Sequence, residues 1–480
     1  MTEPSLYWHD YETWGANPAI DRPCQFAGLR TNVNLEVIAD PDVWYCKPTI
    51  DVLPHPEAIL ITGITPLEAT AKGLSEPEFM ANIARAMGQP HTCSLGYNTL
   101  RFDDEVTRFG FYRNFMDPYA REWQNNNSRW DLIDIVRTCY ALRPEGINWP
   151  MIDGRPSFKL EHLAIENNLL HSRAHDALSD VEVTIALARL IKEKQPRLYD
   201  HLFNLRLKSN VSMEIDVFRQ KPFLHISSKF SALNGCAALV APIAFHPTNK
   251  NAVLVFNLSQ DPEELIHLSA EEIAQRVFTT NDDLPEGVER LALKAVHINK
   301  CPVVLTSKLL TTENAQRLHI DTAQCEKHWH KLLAMNVAEK VADAFALTQF
   351  DAREDAEQQL YEGFLSSKDK PLLDEIRKAS TAQLASQTYH FNDQRYNHLL
   401  LRYKARHYPS SLNEAERIQW QDILQQRWFD GVSGYLTLDE FYACIETLQS
   451  QGLDPTEASK LLSTQEWVTQ EVEKISLDAP

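Results

Sequence analysis

Ser5-Leu-Tyr-Trp-His-Asp-Tyr-Glu-Thr13 begins as an apolar, aromatic run and ends on two acids. The run Ser5–His9 predicts a β-strand. Side chains two residues apart on a strand share a face, so Asp10 and Glu12 lie side by side where the strand ends. Adjacent carboxylates repel, and each raises the other's pKa unless a cation sits between them. Hard divalent ions such as Mg²⁺ take carboxylate oxygens, which makes the pair a candidate metal site. Alone the signal is weak, because an Asp-x-Glu at a strand end is most often a solvated loop.

Two later segments strengthen it. Gly96-Tyr-Asn-Thr-Leu-Arg-Phe-Asp103 places an acid after an aromatic anchor, with Asp104 competing for the same role. His175-Asp-Ala-Leu-Ser-Asp180 opens a helical pattern running to about Lys194, with Val181, Ile185, Leu187, Leu190 and Ile191 on its apolar stripe. Asp180 falls in the first turns of that helix, and His175 sits at or just before its start. Four carboxylates and one histidine from three distant segments are the components of two-metal phosphodiester hydrolysis. The imidazole is the group suited to take a proton from the attacking water.

The three segments resemble the DEDD exonucleases of the DnaQ-like (RNase H-like) superfamily, in the subgroup with a His-x4-Asp third motif. The resemblance implies that Asp10, Glu12, Asp103 and Asp180 are metal ligands and that His175 is the general base. It also chooses Asp103 over Asp104, since the family's ligand directly follows the Phe. Ile61-Thr-Gly-Ile-Thr-Pro66, Arg101–Arg108, Ala141-Leu-Arg-Pro-Glu-Gly-Ile-Asn-Trp149 and Val296-His-Ile-Asn-Lys-Cys-Pro302 are similar to the bacterial exonuclease I family. That family implies 3′-to-5′ digestion of single-stranded DNA to nucleoside 5′-monophosphates, using two Mg²⁺ ions for which Mn²⁺ can substitute. It also implies a processive monomer acting in DNA repair and recombination. Thr13 is then expected at the terminal 3′-hydroxyl, with Glu12, Asn98, Arg101 and Phe102 also contacting substrate. A turn-forming role for Asn98 is equally open. The expected partner is the acidic C-terminal tail of single-stranded DNA-binding protein, with Arg143 as a contact for its carboxylates.

Composition sets wider limits. The chain has 480 residues, 44% hydrophobic and 24% charged, which suits a globular protein of about three domains. No apolar run approaches the ~18 residues of a membrane span, and no basic-then-apolar leader is present. The 8 cysteines are scattered without a C-x-x-C pair, as expected of reduced thiols in a cytoplasmic protein. The net charge of −19 is unusual for a DNA-binding protein. Residues 101–160, however, hold nine arginines and lysines interleaved with Phe102, Phe109, Phe111, Tyr112, Phe115, Tyr119, Trp123 and Trp130. Stacking aromatics with basic residues suit single strands. The same composition also fits core aromatics with surface arginines.

The organisation reads as three domains. Residues 1–195 are α/β, with early strands at Leu6–His9, Gln25–Thr31 and Val43–Cys46, a helix over Arg101–Arg113, and a charged, proline-ended stop at Lys192–Pro196. The resemblance implies an RNase H-like exonuclease domain with a mixed five-stranded sheet. Residues 196–350 carry short β-type runs at Val217, Phe223–Ile226, Ala238–Ala241, Ala252–Phe256 and Val296–Ile298. They suggest a small barrel with helical insertions, SH3-like by resemblance, in which a DNA contact or a packing role is open for His297 and Lys300. Residues 351–480 read as a helical domain, with helices at Asp355–Phe364, Tyr396–Arg406, Asn413–Phe429, Thr437–Ser450 and Pro455–Lys474.

No nucleotide-binding P-loop, G-x-S-x-G elbow or H-E-x-x-H pair is present. The run Asp430–Glu440 lacks the alternating acids of a calcium loop. Two other readings remain: a 3′-to-5′ exonuclease acting on RNA, and a non-catalytic nucleic-acid-binding scaffold.

Overall fold

The fold is seen in a computed structural model that describes residues 3–169, 176–348 and 352–477. It divides into two compact units. Among the described residues, the first joins 3–128, 176–182 and 352–477; the second joins 129–169 and 183–348.

The first unit is built on β1 (Ser5–Thr13), β2 (Pro23–Asn32), β3 (Asp42–Tyr45) and β4 (Thr92–Leu95), extended by the two-residue β5 (Ser128–Arg129) at the unit boundary. Their order is β3-β2-β1-β4-β5. β1 runs antiparallel to β2 and parallel to β4, which gives the mixed five-stranded sheet that the resemblance implies. β1 is central, so Leu6, Tyr7 and Trp8 are buried on both faces. Helix Glu76–Met87 is set by a Ser75/Glu78 capping box and drives Phe79, Met80 and Ile83 against Tyr7, Tyr11 and Phe26.

The C-terminal helices Gln394–His407, Glu414–Gln425, Leu438–Ser450 and Pro455–Leu477 follow the periodicity of the sequence. Helix Gln394–His407 packs Tyr396, Leu399 and Tyr403 against Phe109 and Tyr112 of helix Asp103–Arg113 and against Phe115 just past its end. Asp355–Phe364 departs from expectation. Only Ala356–Gln358 is helical, as a short 3₁₀ segment. The Ala356 carbonyl accepts from the Tyr112 hydroxyl at 2.9 Å, and the Gln359 carbonyl accepts from Arg395. Tertiary bonds thus replace a helical ladder there, and Glu357 is turned fully inward.

Glu357 enters a buried ionic cluster. Its carboxylate accepts from Arg22 at 2.8 Å and from Arg427 at 3.1 Å, and it also pairs with Arg406. Asp51 accepts from Arg406 at 2.7 Å and from Arg427 at 2.5 Å. Burial alone would raise both carboxyls, but the surrounding guanidiniums outweigh it and hold both well below the usual range. Nearby, Glu76 pairs with Arg113 at 2.8 Å. Burial pushes Glu76 up, yet Arg113 and Arg22 bring it down to about 2.

The second unit carries β6 (Met151–Ile152) and β7 (Arg155–Pro156), a small hairpin, and the antiparallel strands β8 (Phe223–Ile226), β9 (Ala237–Phe245), β10 (Ala252–Asn257), β11 (Leu293–His297) and β12 (Val303–Thr306) in the order β11-β10-β9-β8-β12. Val217, expected on a strand, lies in a turn whose Gln220 N–H donates back to the Val217 carbonyl. Helix Ile133–Leu142 is fastened at its C-terminal end, where Arg317 donates to the Tyr140 and Ala141 carbonyls and Asn314 to that of Leu142. Among the described residues, no helix is long and apolar enough to cross a membrane.

Removing one partner from a buried ion pair strands the other charge, at a cost of about 3–5 kcal/mol. Arg427→Ala is therefore expected to lower the thermal midpoint of the first unit, whereas Arg417→Ala, exposed on the adjoining helix, leaves it unchanged. The acid limb carries the same signature. The stabilisation from Glu76 is complete above its ordinary value of 4.5 and is lost as pH falls toward about 2. Differential scanning fluorimetry across pH on both variants checks both statements.

Candidate active site

β1 delivers Asp10 and Glu12 at its C-terminal end, where the pairing with β2 shifts register between Glu12 and Thr13. A bulge of this kind re-aims side chains at the edge of a site. β4 runs parallel beside β1 as far as Trp8↔Leu95. The chain then turns at Gly96, where a Cβ would come within 2.4 Å of the His9 carbonyl. Only glycine allows that approach. Asn98 follows with φ 64° and precedes the 3₁₀ turn Thr99–Arg101. The expected helix Arg101–Arg113 is interrupted at Phe102 (φ −130°, ψ −70°) and begins at Asp103. Helix Ala177–Lys194 brings in Asp180.

These elements converge on one point. Asp10, Glu12 and Asp180, all half-buried, offer oxygens that lie within 4.8 Å of one another. Asp103 joins from the helix start, and its Oδ1 accepts from the Tyr11 N–H at 3.1 Å. Asp104 is occupied elsewhere: it forms a buried ion pair with Arg121. Burial, then the charges of Asp103, Glu12 and Asp180, raise Asp10 well above the usual carboxylate range. Burial, then Asp180 and Asp176, push Glu12 up to about 8. Asp176 was not singled out from the sequence, although its spacing of four from Asp180 could have flagged it. An all-carboxylate donor set with elevated proton affinity fits a hard divalent cation, which would replace the protons and screen the repulsion.

The other expected residues fall into different settings. His175 lies outside the described residues. The Thr13 hydroxyl donates to the Gly15 carbonyl at 2.7 Å. Arg101 is exposed, whereas Phe102 is partly buried and packs on the Tyr11–Phe79 core. Arg143, in the second unit, lines a cavity of about 520 Å³ with Arg197, His201, Leu142, Leu198 and Leu309. The basic, aromatic stretch 101–160 is used mainly internally. Arg108 pairs with Glu122 and Glu105, Arg113 with Glu76, and Arg137 with Asp134. Phe109, Phe111, Tyr112, Phe115 and Trp130 are buried, while Trp123 is 64% exposed.

Comparison with known proteins gives the wider context. A family model described as "Exonuclease" matches residues 7–188. The exonuclease I SH3-like domain matches 206–347, and the exonuclease I C-terminal domain matches 354–471. Exodeoxyribonuclease I of Haemophilus influenzae is 45% identical over 462 residues, 95% of this chain and 96% of that protein. The chain belongs to the exodeoxyribonuclease I family. The Escherichia coli member is 47% identical over 428 residues, covering 88% of this chain and 90% of its own. Its solved complex with a dA16 oligonucleotide superposes with a TM-score of 0.92 at 43% identity over 98% of this chain and all of that one. A zinc-ion-bound form of its single-stranded DNA complex and a complex described as SSB/exonuclease I with an inhibitor superpose at 0.93 and 0.89, both at 42% identity, over 98% of this chain and all of those chains. The β8–β12 sheet accordingly lies in the exonuclease I SH3-like domain. As a family member, the protein is a metal-dependent DNA exonuclease.

The elevated Glu12 pKa carries a measurable sign. Folded Glu12 holds its proton up to about 8, whereas its ordinary value is 4.5. Its contribution to metal-free stability is therefore complete below about 4.5 and lost as pH rises through that window. A divalent cation competes with the protons, so the rise in melting temperature produced by Mg²⁺ over EDTA is expected to grow from pH 5.5 to pH 8. A metal-induced shift independent of pH would contradict this assignment.

Proposed function

We propose that this protein digests single-stranded DNA processively from its 3′ end to nucleoside 5′-monophosphates, in the cytoplasm and as a monomer, during DNA repair and recombination. The observation that carries the reading is the convergence of Asp10, Glu12 and Asp180 on one point, with Asp103 beside them. In this reading residues 1–195 form the exonuclease domain, 196–350 the SH3-like domain and 351–480 the helical domain.

The four carboxylates would hold two Mg²⁺ ions, or Mn²⁺ in their place, which when bound supply charge stabilisation to the attacking and leaving oxygens. His175 takes a proton from water as the water oxygen bonds to the terminal phosphorus. The bond from phosphorus to the penultimate 3′-oxygen breaks, and that oxygen is protonated to become the new 3′-hydroxyl. Thr13 and Glu12 orient the terminal 3′-hydroxyl, and Thr13 retains acceptor capacity while its own proton is committed to Gly15. Asn98, Arg101 and Phe102 line the approach of the last nucleotide. The two arginines and the apolar walls of the Arg143 cavity suit an acidic, apolar peptide end, and we assign it to the C-terminal tail of single-stranded DNA-binding protein.

The deciding experiment is a time course on a 5′-labelled single-stranded DNA oligonucleotide and its RNA counterpart, with Mg²⁺ or EDTA. A DNA ladder shortening from the 3′ end only with metal is expected; equal digestion of RNA would overturn the DNA assignment. Asp180→Ala is expected to abolish shortening while retaining strand binding, and His175→Ala to lose roughly 10²–10⁴-fold in rate. Arg143→Ala is expected to weaken an SSB-tail peptide at least tenfold, read by fluorescence anisotropy, with turnover of free oligonucleotide unchanged.

A further inference from the structure

Tyr11 lies between Asp10 and Glu12, and its side chain is buried, 5% exposed, among His9, Phe26 and Phe79. It faces away from its two acidic neighbours, yet it is bonded twice to the start of helix Asp103–Arg113. Its backbone N–H donates to Asp103 Oδ1 at 3.1 Å. Its phenol oxygen lies 2.9 Å from Thr107 Oγ1. Thr107 in turn donates its hydroxyl to the Asp103 carbonyl oxygen at 2.8 Å. A threonine hydroxyl has one proton. Since that proton is spent on Asp103, the Tyr11 phenol is the donor and Thr107 Oγ1 the acceptor. The result is a closed ring: Tyr11 N–H to the Asp103 side chain, and Tyr11 O–H through Thr107 to the Asp103 backbone.

The ring sits where the helix has least support of its own. Phe102 is non-helical, and Asp103 is the first helical residue, so the first turn, in which the Phe102 carbonyl accepts from the Val106 N–H at 2.9 Å, has few helical bonds to fix the approach angle. We propose that Tyr11 and Thr107 are positioning residues that lock Asp103 in register with Asp10 and Glu12, so that strand β1 itself sets the spacing between the first and second acidic segments. The proposal rests on the metal-binding reading of the carboxylates given above.

Tyr11→Phe and Thr107→Val each remove one hydroxyl with little change in volume, and Thr107→Ser keeps it. The Mg²⁺ concentration at the midpoint of the thermal shift is measured without DNA, together with kcat and KM on a single-stranded oligonucleotide. Loss of an outer partner of a ligand costs about 10–100-fold in metal affinity or activity. Tyr11→Phe and Thr107→Val are expected to show such a loss in kcat and a raised Mg²⁺ midpoint, with KM for DNA unchanged and Thr107→Ser close to the parent. Wild-type kcat and midpoint in both variants would overturn the proposal. So would a Thr107→Ser protein as impaired as Thr107→Val, because packing and not the hydroxyl would then be at work. If the parent binds Mg²⁺ but does not cut DNA, the midpoint still tests the ring, and only the functional reading fails.

Discussion

Carboxylates brought within 4.8 Å of one another, partly shielded from water, repel strongly unless something compensates them. Much of the first unit can be understood as the framework that holds this unfavourable arrangement in place. Asp10 and Glu12 are carried by β1, the central strand, whose aromatic side chains are packed on both faces. Asp103 stands at the start of a helix whose far end is buried against the C-terminal helices through Phe109 and Tyr112, with Phe115 just beyond it. None of these acids can move apart without disturbing a core, so the repulsion stays until protons or a cation relieve it.

The buried ionic cluster around Asp51 and Glu357 solves the opposite problem. Three arginines from distant parts of the chain surround two carboxylates, so each carboxylate is countered where it is desolvated. Such a cluster is a weak source of net stability against apolar packing. It is demanding in geometry, however, because any displacement of the 352–360 segment or of Arg427 leaves a charge stranded. It therefore specifies one placement of the C-terminal helices on the exonuclease sheet within the first unit.

These two features differ in how far the sequence disclosed them. The strands at Leu6–His9, Gln25–Thr31 and Val43–Cys46 were legible because alternation and β-branched or aromatic content are local. The Asp10–Glu12 spacing and the helical position of Asp180 were legible for the same reason. The ionic cluster was not: nothing near Arg22 or Arg427 marks either as buried, and the pairs Arg22–Glu357 and Arg427–Asp51 span 335 and 376 residues. Asp355–Phe364 misled for a related reason, since its helical periodicity is overridden by carbonyls bonded to Tyr112 and Arg395. The basic, aromatic run 101–160 has a composition that suits a strand-binding groove, and most of it is spent on internal ion pairs and core. Composition reports which residues are available, and packing decides which of them reach solvent.

The direction of the pKa shift separates the two kinds of buried acid more cleanly than burial does. Asp51 and Glu357 are as desolvated as any carboxylate in the first unit, and their arginines still hold them ionised. Asp10 and Glu12 move the other way because their nearest charged neighbours are more carboxylates. Acids crowded against other carboxylates, with no cation beside them, are a costly choice for a scaffold. Such a group stays costly until a ligand completes it, and the cost then becomes binding free energy for that ligand. By that argument the strand-end acids suit the metal-binding role proposed for them, and the Asp51–Glu357 cluster suits a scaffold. Tyr11 links the two roles, since the same side chain is packed in the core and bonded to the helix turn that presents Asp103.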